Sequence, residues 1–331
     1  MRGADERGMN TVPDLKRLGI LDDYQGATLR LGPWDRLPES LQIEQFRDTV
    51  TGPALVERLR PLDAILAMRE RTPFPRALIE QLPNLRLLVT TGARNRAIDL
   101  AACAERGITV CGTASVAHPT VDLTWGLILS LMRRIPEQQA ALREGRWQVA
   151  LGHTLEGRTL GVVGLGNLGS RVARVGAAFG MRVIAWSQNL TPERAAAAGA
   201  EAVGKERLLA EADVVTLHLI LSERSRGIIG AADLARMQPS AILVNTSRGP
   251  LVEQDALIAA LRERRIAGAG IDVFDQEPLP RDHPLLSAPN TVLTPHLGYV
   301  TEENYRAYFT GAVEAIEGYL AGRPVRELRA G

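Results

Sequence analysis

The chain is predicted to be an α/β protein of two domains, one of them doubly wound around a parallel sheet and inserted into the other. Three observations predict it. Short apolar runs, among them Val214-Val-Thr-Leu217 and Ile242-Leu-Val-Asn245, alternate with stretches at helical spacing over most of the 331 residues. One such run, Leu160-Gly-Val-Val163, opens a turn with spaced glycines at Gly164, Gly166 and Gly169 and continues at helical spacing. A last helical stretch, residues 302–320, follows the final strand and is free to return to the first domain, which makes the second domain an insertion.

In chain order, residues 18–24 read as a strand and turn, and residues 41–46 are too mixed to assign. Residues 54–59 are a short helix. Residues 63–67 are an apolar strand, stopped by Arg69, Glu70 and Arg71 and then by Pro73 and Pro75. Residues 85–90 are a third strand, ending in Thr91-Gly92-Ala93, and residues 97–106 a helix. Residues 108–111 open a second series. One helical pattern runs over residues 121–143, interrupted by Pro136, with Trp125, Leu129 and Met132 on a single stripe. Strands follow at 160–163, 182–186, 214–217, 241–245, 268–272 and 292–293, with helices between, as parallel strands joined by right-handed crossovers require. The expected division is residues 1–102 as the first domain, 103–297 as the inserted one and 298–331 as the return.

Lys plus Arg number 39 and Asp plus Glu 38, so a net charge of +1 favours neither nucleic acid nor a membrane as partner. Residues 1–10 are charged and polar, reading as a floppy extension, and no apolar run is long enough to span a bilayer, so a cytoplasmic protein is expected. Cys103 and Cys111 offer neither a disulfide framework nor a metal cluster and read as buried, inert thiols. His118, His153 and His283 have no metal-ligand spacing, and Asp233 and Asp255 read as helix-start residues.

The glycine turn carries the first chemical signal. Gly164 can adopt angles closed to other residues, Gly166 lets the main chain approach a pyrophosphate, and Gly169 allows tight helix–strand packing. The helix amides that follow face the phosphates. The spacing alone is a weak sign, and a glycine turn that merely packs well is the competing explanation; the preceding strand and following helix favour a dinucleotide.

Ligands of such sheets lie at the carboxyl ends of the strands, where three polar residues follow apolar runs: Arg248, Glu277 and His296. Singly, each would pass as a surface charge or a structural hydrogen-bonder. Together they suit reduction of a 2-oxo acid: His296 titrates near neutrality and can donate a proton to the forming alkoxide. Glu277, bonded to it, would orient the ring and favour imidazolium. Arg248 presents a fork for the carboxylate and the carbonyl oxygen.

The segments Asn245-Thr-Ser-Arg-Gly249, Asp272-Val-Phe-Asp-Gln-Glu-Pro278 and Thr294-Pro-His-Leu-Gly298, in this order after the glycines, resemble the signature segments of the D-isomer-specific 2-hydroxyacid dehydrogenases, of the hydroxypyruvate/glyoxylate reductase kind. Arg248 and Glu277 are 29 positions apart and Glu277 and His296 are 19 apart, as the family has them. The resemblance is strong over residues 161–298 and weaker before them. It implies a Rossmann-type nucleotide domain inserted into a flavodoxin-like substrate domain, and hydride transfer between NAD or NADP and C2 of a small 2-oxo or 2-hydroxy acid. It further implies that Gly164, Gly166, Asn167, Leu168, Gly169, Ser187, Gln188, His218, Thr246, Asp272 and Gly298 line the cofactor, Asp272 at the nicotinamide carboxamide. Thr91, Gly92 and Ala93, with Arg248, would hold the substrate carboxylate. Residues 121–143, followed by Trp147, resemble the arm through which family members form homodimers; a helix packed inside its own domain would show the same stripe.

The chain departs from the family in three places. After the strand 182–186 stand Ser187-Gln188-Asn189, with no acid to repel a 2′-phosphate, and Arg194 is the nearest cation able to fold back, so the balance tilts slightly to NADP. Asp122-Leu123 replace a Glu-His pair common at the start of the long helix, and Tyr299 stands where a smaller residue is common. Arg69, Arg71, Arg94 and Arg96 flank the substrate loops, either as receivers of an acidic substituent or as solvated surface charges. Two other functions fit the same fold: a dinucleotide-sensing interaction protein of the C-terminal-binding corepressor type, and formate dehydrogenase, which carries Gln in place of Glu277.

Overall fold

The computed structural model describes residues 14–116 and 118–330, so the reading of residues 1–10 lies outside the described residues. The chain divides into two compact units, Met1–Ala117 with Thr301–Gly331, and His118–Val300.

The first unit holds β1 (Arg17–Ile20), β2 (Gln42–Gln45), β3 (Ala64–Ala67), β4 (Leu87–Thr90) and β5 (Thr109–Gly112), all parallel, in the order β2-β1-β3-β4-β5. That is the flavodoxin order. All four residues of β3 and all four of β4 are buried, as expected of inner parallel strands covered on both faces. β2 is an edge strand with no fully buried residue, and its Gln-Ile-Glu-Gln sequence lacks the apolar run that would have marked it. Residues 108–111, expected to open the second domain, instead close this sheet: Leu87 to Thr90 pair with Thr109 to Gly112. Val110 buries in the same cluster as Leu88, Ile98 and Cys103. The first unit therefore extends to residue 117 rather than 102. The final helix, Glu302–Leu320, belongs to this unit and buries Tyr305, Phe309, Val313 and Ile316 along one face. Burial pushes the thiols of Cys103 and Cys111 up to about 11, which keeps both protonated and unreactive near neutrality.

The second unit holds β6 (Thr159–Val163), β7 (Arg182–Trp186), β8 (Glu201–Ala202), β9 (Val214–Leu217), β10 (Ile242–Asn245), β11 (Gly268–Ile271) and β12 (Thr291–Leu293). Their order is β12-β11-β10-β9-β6-β7-β8, and every pairing is parallel. This is the dinucleotide-binding order with one strand added, and the order reverses between β6 and β9. Alternate residues feed opposite layers. Val163, Ile184, Val215 and Leu243 join one core with Leu208, Ile258 and Leu261, while Leu160, Val183, Val214 and Val244 join another with Trp125, Ile128 and Val172.

The helical pattern over residues 121–143 is two helices, Pro119–Met132 and Ile135–Arg143, broken at Arg133 and Arg134, the latter with φ of 55°. Pro136 lies in the first turn of the second helix, where its missing N–H has no partner to lose. Trp125 and Met132 are buried and Leu129 is half-buried.

Candidate active site at the strand ends of the second unit

Because β6 and β9 are parallel neighbours, the turn after one meets the turn after the other. Gly164 has φ of 99°, its N–H donates to Trp186 O at 2.8 Å, and a Cβ there would stand 2.7 Å from His218 O. A Cβ on Gly169 would stand 2.0 Å from Gly164 O, so glycine is required for the helix Asn167–Ala178 to start this close to β6. Gly166 caps that helix, with nothing within 4 Å of where its Cβ would be. The first-turn amides, Asn167 and Leu168 among them, have no acceptor inside the helix. Across the crevice, His218 Nε2 meets Thr216 Oγ1 at 3.0 Å, and its Nδ1, out of solvent contact, has no partner among the described residues. Burial lowers this imidazole to about 4, so it is neutral near pH 7.

The loop after β12 is built around Asp272, at the end of β11. This carboxylate is fully buried. Its Oδ1 accepts from Thr294 Oγ1 at 2.6 Å and from Leu297 N at 2.7 Å, and its Oδ2 accepts from Gly298 N at 2.9 Å. Burial raises the carboxyl above its ordinary value, against the pull of those bonds and of the His296 charge. His296, inside the bracket, has φ of 54°, and its N–H donates to Asp272 O at 2.9 Å. Its Nδ1 lies 2.6 Å from Glu277 Oε2, and Glu277 Oε1 accepts from Phe274 N at 2.8 Å. Burial alone would raise the Glu277 carboxyl, but the hydrogen bond and charge of His296, the Phe274 amide and the Arg248 charge outweigh it and hold it below the ordinary value.

Arg248 is positioned by the loop after β10. Asn245 brackets it, Nδ2 donating to Arg248 O at 2.9 Å and Oδ1 accepting from Ser247 N at 3.0 Å. Ser247 Oγ donates to Leu217 O at 2.7 Å, and a Cβ on Gly249 would stand 2.2 Å from Phe274 C, so the Arg248 and Glu277 loops touch backbone to backbone. The first turn of the helix Pro119–Met132 ties both loops: Thr120 Oγ1 donates to Gly298 O at 2.7 Å, and Thr124 Oγ1 lies 2.9 Å from Thr246 Oγ1. The three residues read from separate motifs thus converge on one edge of the sheet.

The sequence model of the D-isomer specific 2-hydroxyacid dehydrogenase NAD-binding domain matches residues 125–298, more than half of the chain. The chain belongs to that family. It is 38% identical over 277 residues to the glyoxylate reductase of Korarchaeum cryptofilum, spanning 81% of this chain and 83% of that one. It is 34% identical over 295 residues to the glycerate dehydrogenase of Methylorubrum extorquens, spanning 86% and 90%. Among solved structures, the phosphoglycerate oxidoreductase of Vibrio cholerae superposes with a TM-score of 0.88 at 38% identity, covering 93% of this chain and all of that one.

The family's dinucleotide fits the residues present: open space at Gly166, a required glycine at each end of the turn, and a buried, orphaned Nδ1 on His218, whose backbone lies against Gly164. Ser187 and Gln188 follow β7, and Arg194 Nη1 donates to Asn189 O at 3.1 Å, which draws its guanidinium back to that loop.

In the first unit, the Thr91-Gly92-Ala93 turn is less open than its sequence suggests. Thr91 N–H donates to Ala67 O at 3.0 Å and Gly92 N–H to Thr113 Oγ1 at 2.8 Å, leaving Ala93, which is exposed, as the residue of the three whose amide can serve a ligand. Of the four flanking arginines, Arg71 is held internally, donating to Asp22 O at 2.5 Å and lying 4.5 Å above the Tyr24 ring. Arg69 lies over Gly92, whose Cβ would meet its Nη1 at 1.8 Å, while Arg94 and Arg96 are exposed.

Sequence reading missed Asn245, Gly249, Thr120 and Thr124 as parts of this site. Asn245 and Gly249 flanked Arg248 within a recognised segment; the two threonines carried no signal, since their partners are far along the chain. Among the described residues no group of three or more His, Cys, Asp or Glu could hold a metal ion, and no helix is long and apolar enough to cross a membrane.

Proposed function

We propose that the chain is an NAD(P)-dependent D-2-hydroxyacid dehydrogenase that reduces a small 2-oxo acid, with His296 as general acid/base. The observation that carries this is the 2.6 Å contact between His296 Nδ1 and Glu277 Oε2. It supports one division of roles between the ring nitrogens: Nδ1–H donates to the carboxylate, and Nε2 is left to face a substrate oxygen. The arrangement fixes the ring plane.

The dinucleotide, when bound, supplies the hydride chemistry at C2. The protein's part is binding, orientation and the proton. Arg248 holds the substrate carboxylate and offers a cation to the oxygen that becomes an alkoxide. In reduction His296 delivers its Nε2 proton to that oxygen; in oxidation it takes the proton back from the hydroxyl. Glu277 stays ionised throughout, because its carboxyl is held low. Asp272, whose two oxygens accept three bonds between them, holds the His296 loop, and by resemblance to the family would also meet the nicotinamide carboxamide. The names of the relatives, glyoxylate reductase and glycerate dehydrogenase, favour a two- or three-carbon acid.

Arg194, folded onto the loop where an adenosine ribose would sit, and the absence of an acid among Ser187, Gln188 and Asn189 favour NADP over NAD. Comparing KM for NADH and NADPH tests this, and a tenfold preference for NADH would reverse it. Exposed Ile135, Leu142, Trp147 and Leu151, the last at 90% exposure, favour a homodimer through this arm. Light scattering reads its mass. Turnover of glyoxylate, hydroxypyruvate and phenylpyruvate, followed by nicotinamide absorbance, tests the whole reading; no activity across such a panel would overturn it.

A further inference from the structure

The structure puts the ring of Tyr299 against His296, the residue proposed as general acid/base. The His296 and Tyr299 ring centroids are 5.4 Å apart at an interplanar angle of 73°, an edge-on contact. The backbone that carries Tyr299 is pinned on both sides. Gly298 N–H donates to Asp272 Oδ2 at 2.9 Å, Gly298 O accepts from Thr120 Oγ1 at 2.7 Å, and Val300 N–H donates to Leu297 O at 2.8 Å. A Cβ on Gly298 would already lie 3.2 Å from Asp272 Oδ2, so the backbone leading into Tyr299 is packed closely against Asp272. Glu277 holds the other partner of the pair by its Nδ1.

With Nδ1 engaged, a substrate meets Nε2. An oxygen about 2.8 Å from that nitrogen places C2 and its substituent beside the imidazole, within reach of a phenol ring that lies against the same imidazole. We propose that Tyr299 is a specificity-determining residue, a fixed wall beside His296 that limits the C2 substituent to hydrogen, methyl or hydroxymethyl. This rests on the reading of His296 as the proton donor. A wall of this kind excludes rather than attracts: a rigid ring in a pinned turn cannot retreat from a branched or aromatic substituent, and such an overlap costs a pocket more than a missing methylene does. Aromatic pairing with His296 gives the ring its place.

The test compares kcat/KM for glyoxylate, pyruvate, 2-oxo-4-methylpentanoate and phenylpyruvate in wild type, Tyr299→Ala, Tyr299→Leu and Tyr299→Phe. Tyr299→Ala is expected to raise the phenylpyruvate-to-glyoxylate ratio by about 10- to 100-fold, in the range that pocket size ordinarily commands. Tyr299→Leu, which keeps the apolar volume if alanine fails to fold, raises it less, and Tyr299→Phe keeps the wild-type ratio. An unchanged or lowered ratio in both Ala and Leu variants overturns the assignment. A ratio that moves in Tyr299→Phe overturns the wall and makes the hydroxyl the determinant. Wild-type turnover is read first: without it the proposed function fails and takes this assignment with it, whereas turnover with unmoved ratios removes Tyr299 alone.

Discussion

The glycine turn after β6 and the His296 loop after β12 are both sharp turns with positive φ at their centre, 99° at Gly164 and 54° at His296, yet they are held by opposite means. The first is shaped by what is missing: a Cβ at Gly169 would lie 2.0 Å from Gly164 O, and one at Gly164 2.7 Å from His218 O. The second is shaped by what is present. A buried carboxylate at Asp272 gathers Thr294, Leu297 and Gly298 around a histidine that would otherwise resist that backbone conformation. A turn made of absences tolerates any change of charge or pH and fails on one added methyl. A turn made of ion and hydrogen bonds tolerates small steric changes and fails when a proton moves.

The largest break comes at the second turn. His296→Ala is expected to lower kcat by about 10² to 10⁴, the usual range for a general acid/base, while dinucleotide affinity by fluorescence titration stays near wild type. Unchanged kcat would remove His296 from the reaction. At the first turn, Gly169→Ala should do the reverse. Alanine improves helix propensity by about 1 kcal/mol, but contact with a backbone oxygen forces the helix start outward at a cost of about 1–3 kcal/mol. Dinucleotide Kd and Tm should both worsen, and a Tm at or above wild type would show that the turn relaxes freely.

Glu277→Gln sharpens the comparison through pH. A neutral amide cannot accept the Nδ1 proton as a carboxylate does, so reductive kcat/KM at pH 7 is expected to fall and its pH profile to change; an unaltered profile would remove Glu277 from the proton step. Stability follows the sign of the carboxylate itself. Its folded value lies below the ordinary one, so its contribution is complete above about pH 4.3 and is lost as pH falls through the lower folded value. The Tm gap between wild type and Glu277→Gln should therefore close in acid; a gap that stays constant would mean that the pair adds nothing by charge. The smallest effect is expected at the cofactor's far end, where Arg194→Ala should raise KM for NADPH several-fold and leave NADH alone, as loss of one exposed cation would. Equal changes for both cofactors would argue against a 2′-phosphate contact.

The fold was legible wherever a strand is buried on both faces, because such strands are uniformly apolar. β3, β4, β6, β7, β9 and β10 all announce themselves in this way. β2 and the two-residue β8 did not, since edge strands keep polar residues and borrow their order from a neighbour. Arg248, Glu277 and His296 were legible because chemistry confines polar residues to the ends of apolar strands. Arg71 stays open in the sequence between a receiver of substrate and a solvated charge, because whether its guanidinium faces solvent, a ligand or Asp22 and Tyr24 depends on residues 47 to 49 positions away.

By itself the sequence determined the alternation of strands and helices, the glycine turn and the residue types of the reaction, all of which are local patterns dictated by burial and backbone sterics. The tertiary structure decided the rest. It assigned β5 to the first sheet, split the long helix at Arg134, closed the amides of Thr91 and Gly92, joined His296 to Glu277 and laid Tyr299 beside it. Most of these are contacts between segments distant in the chain, which no short window of sequence contains; the break at Arg134 and the meeting of the His296 and Tyr299 rings are local in sequence but set by how the chain packs.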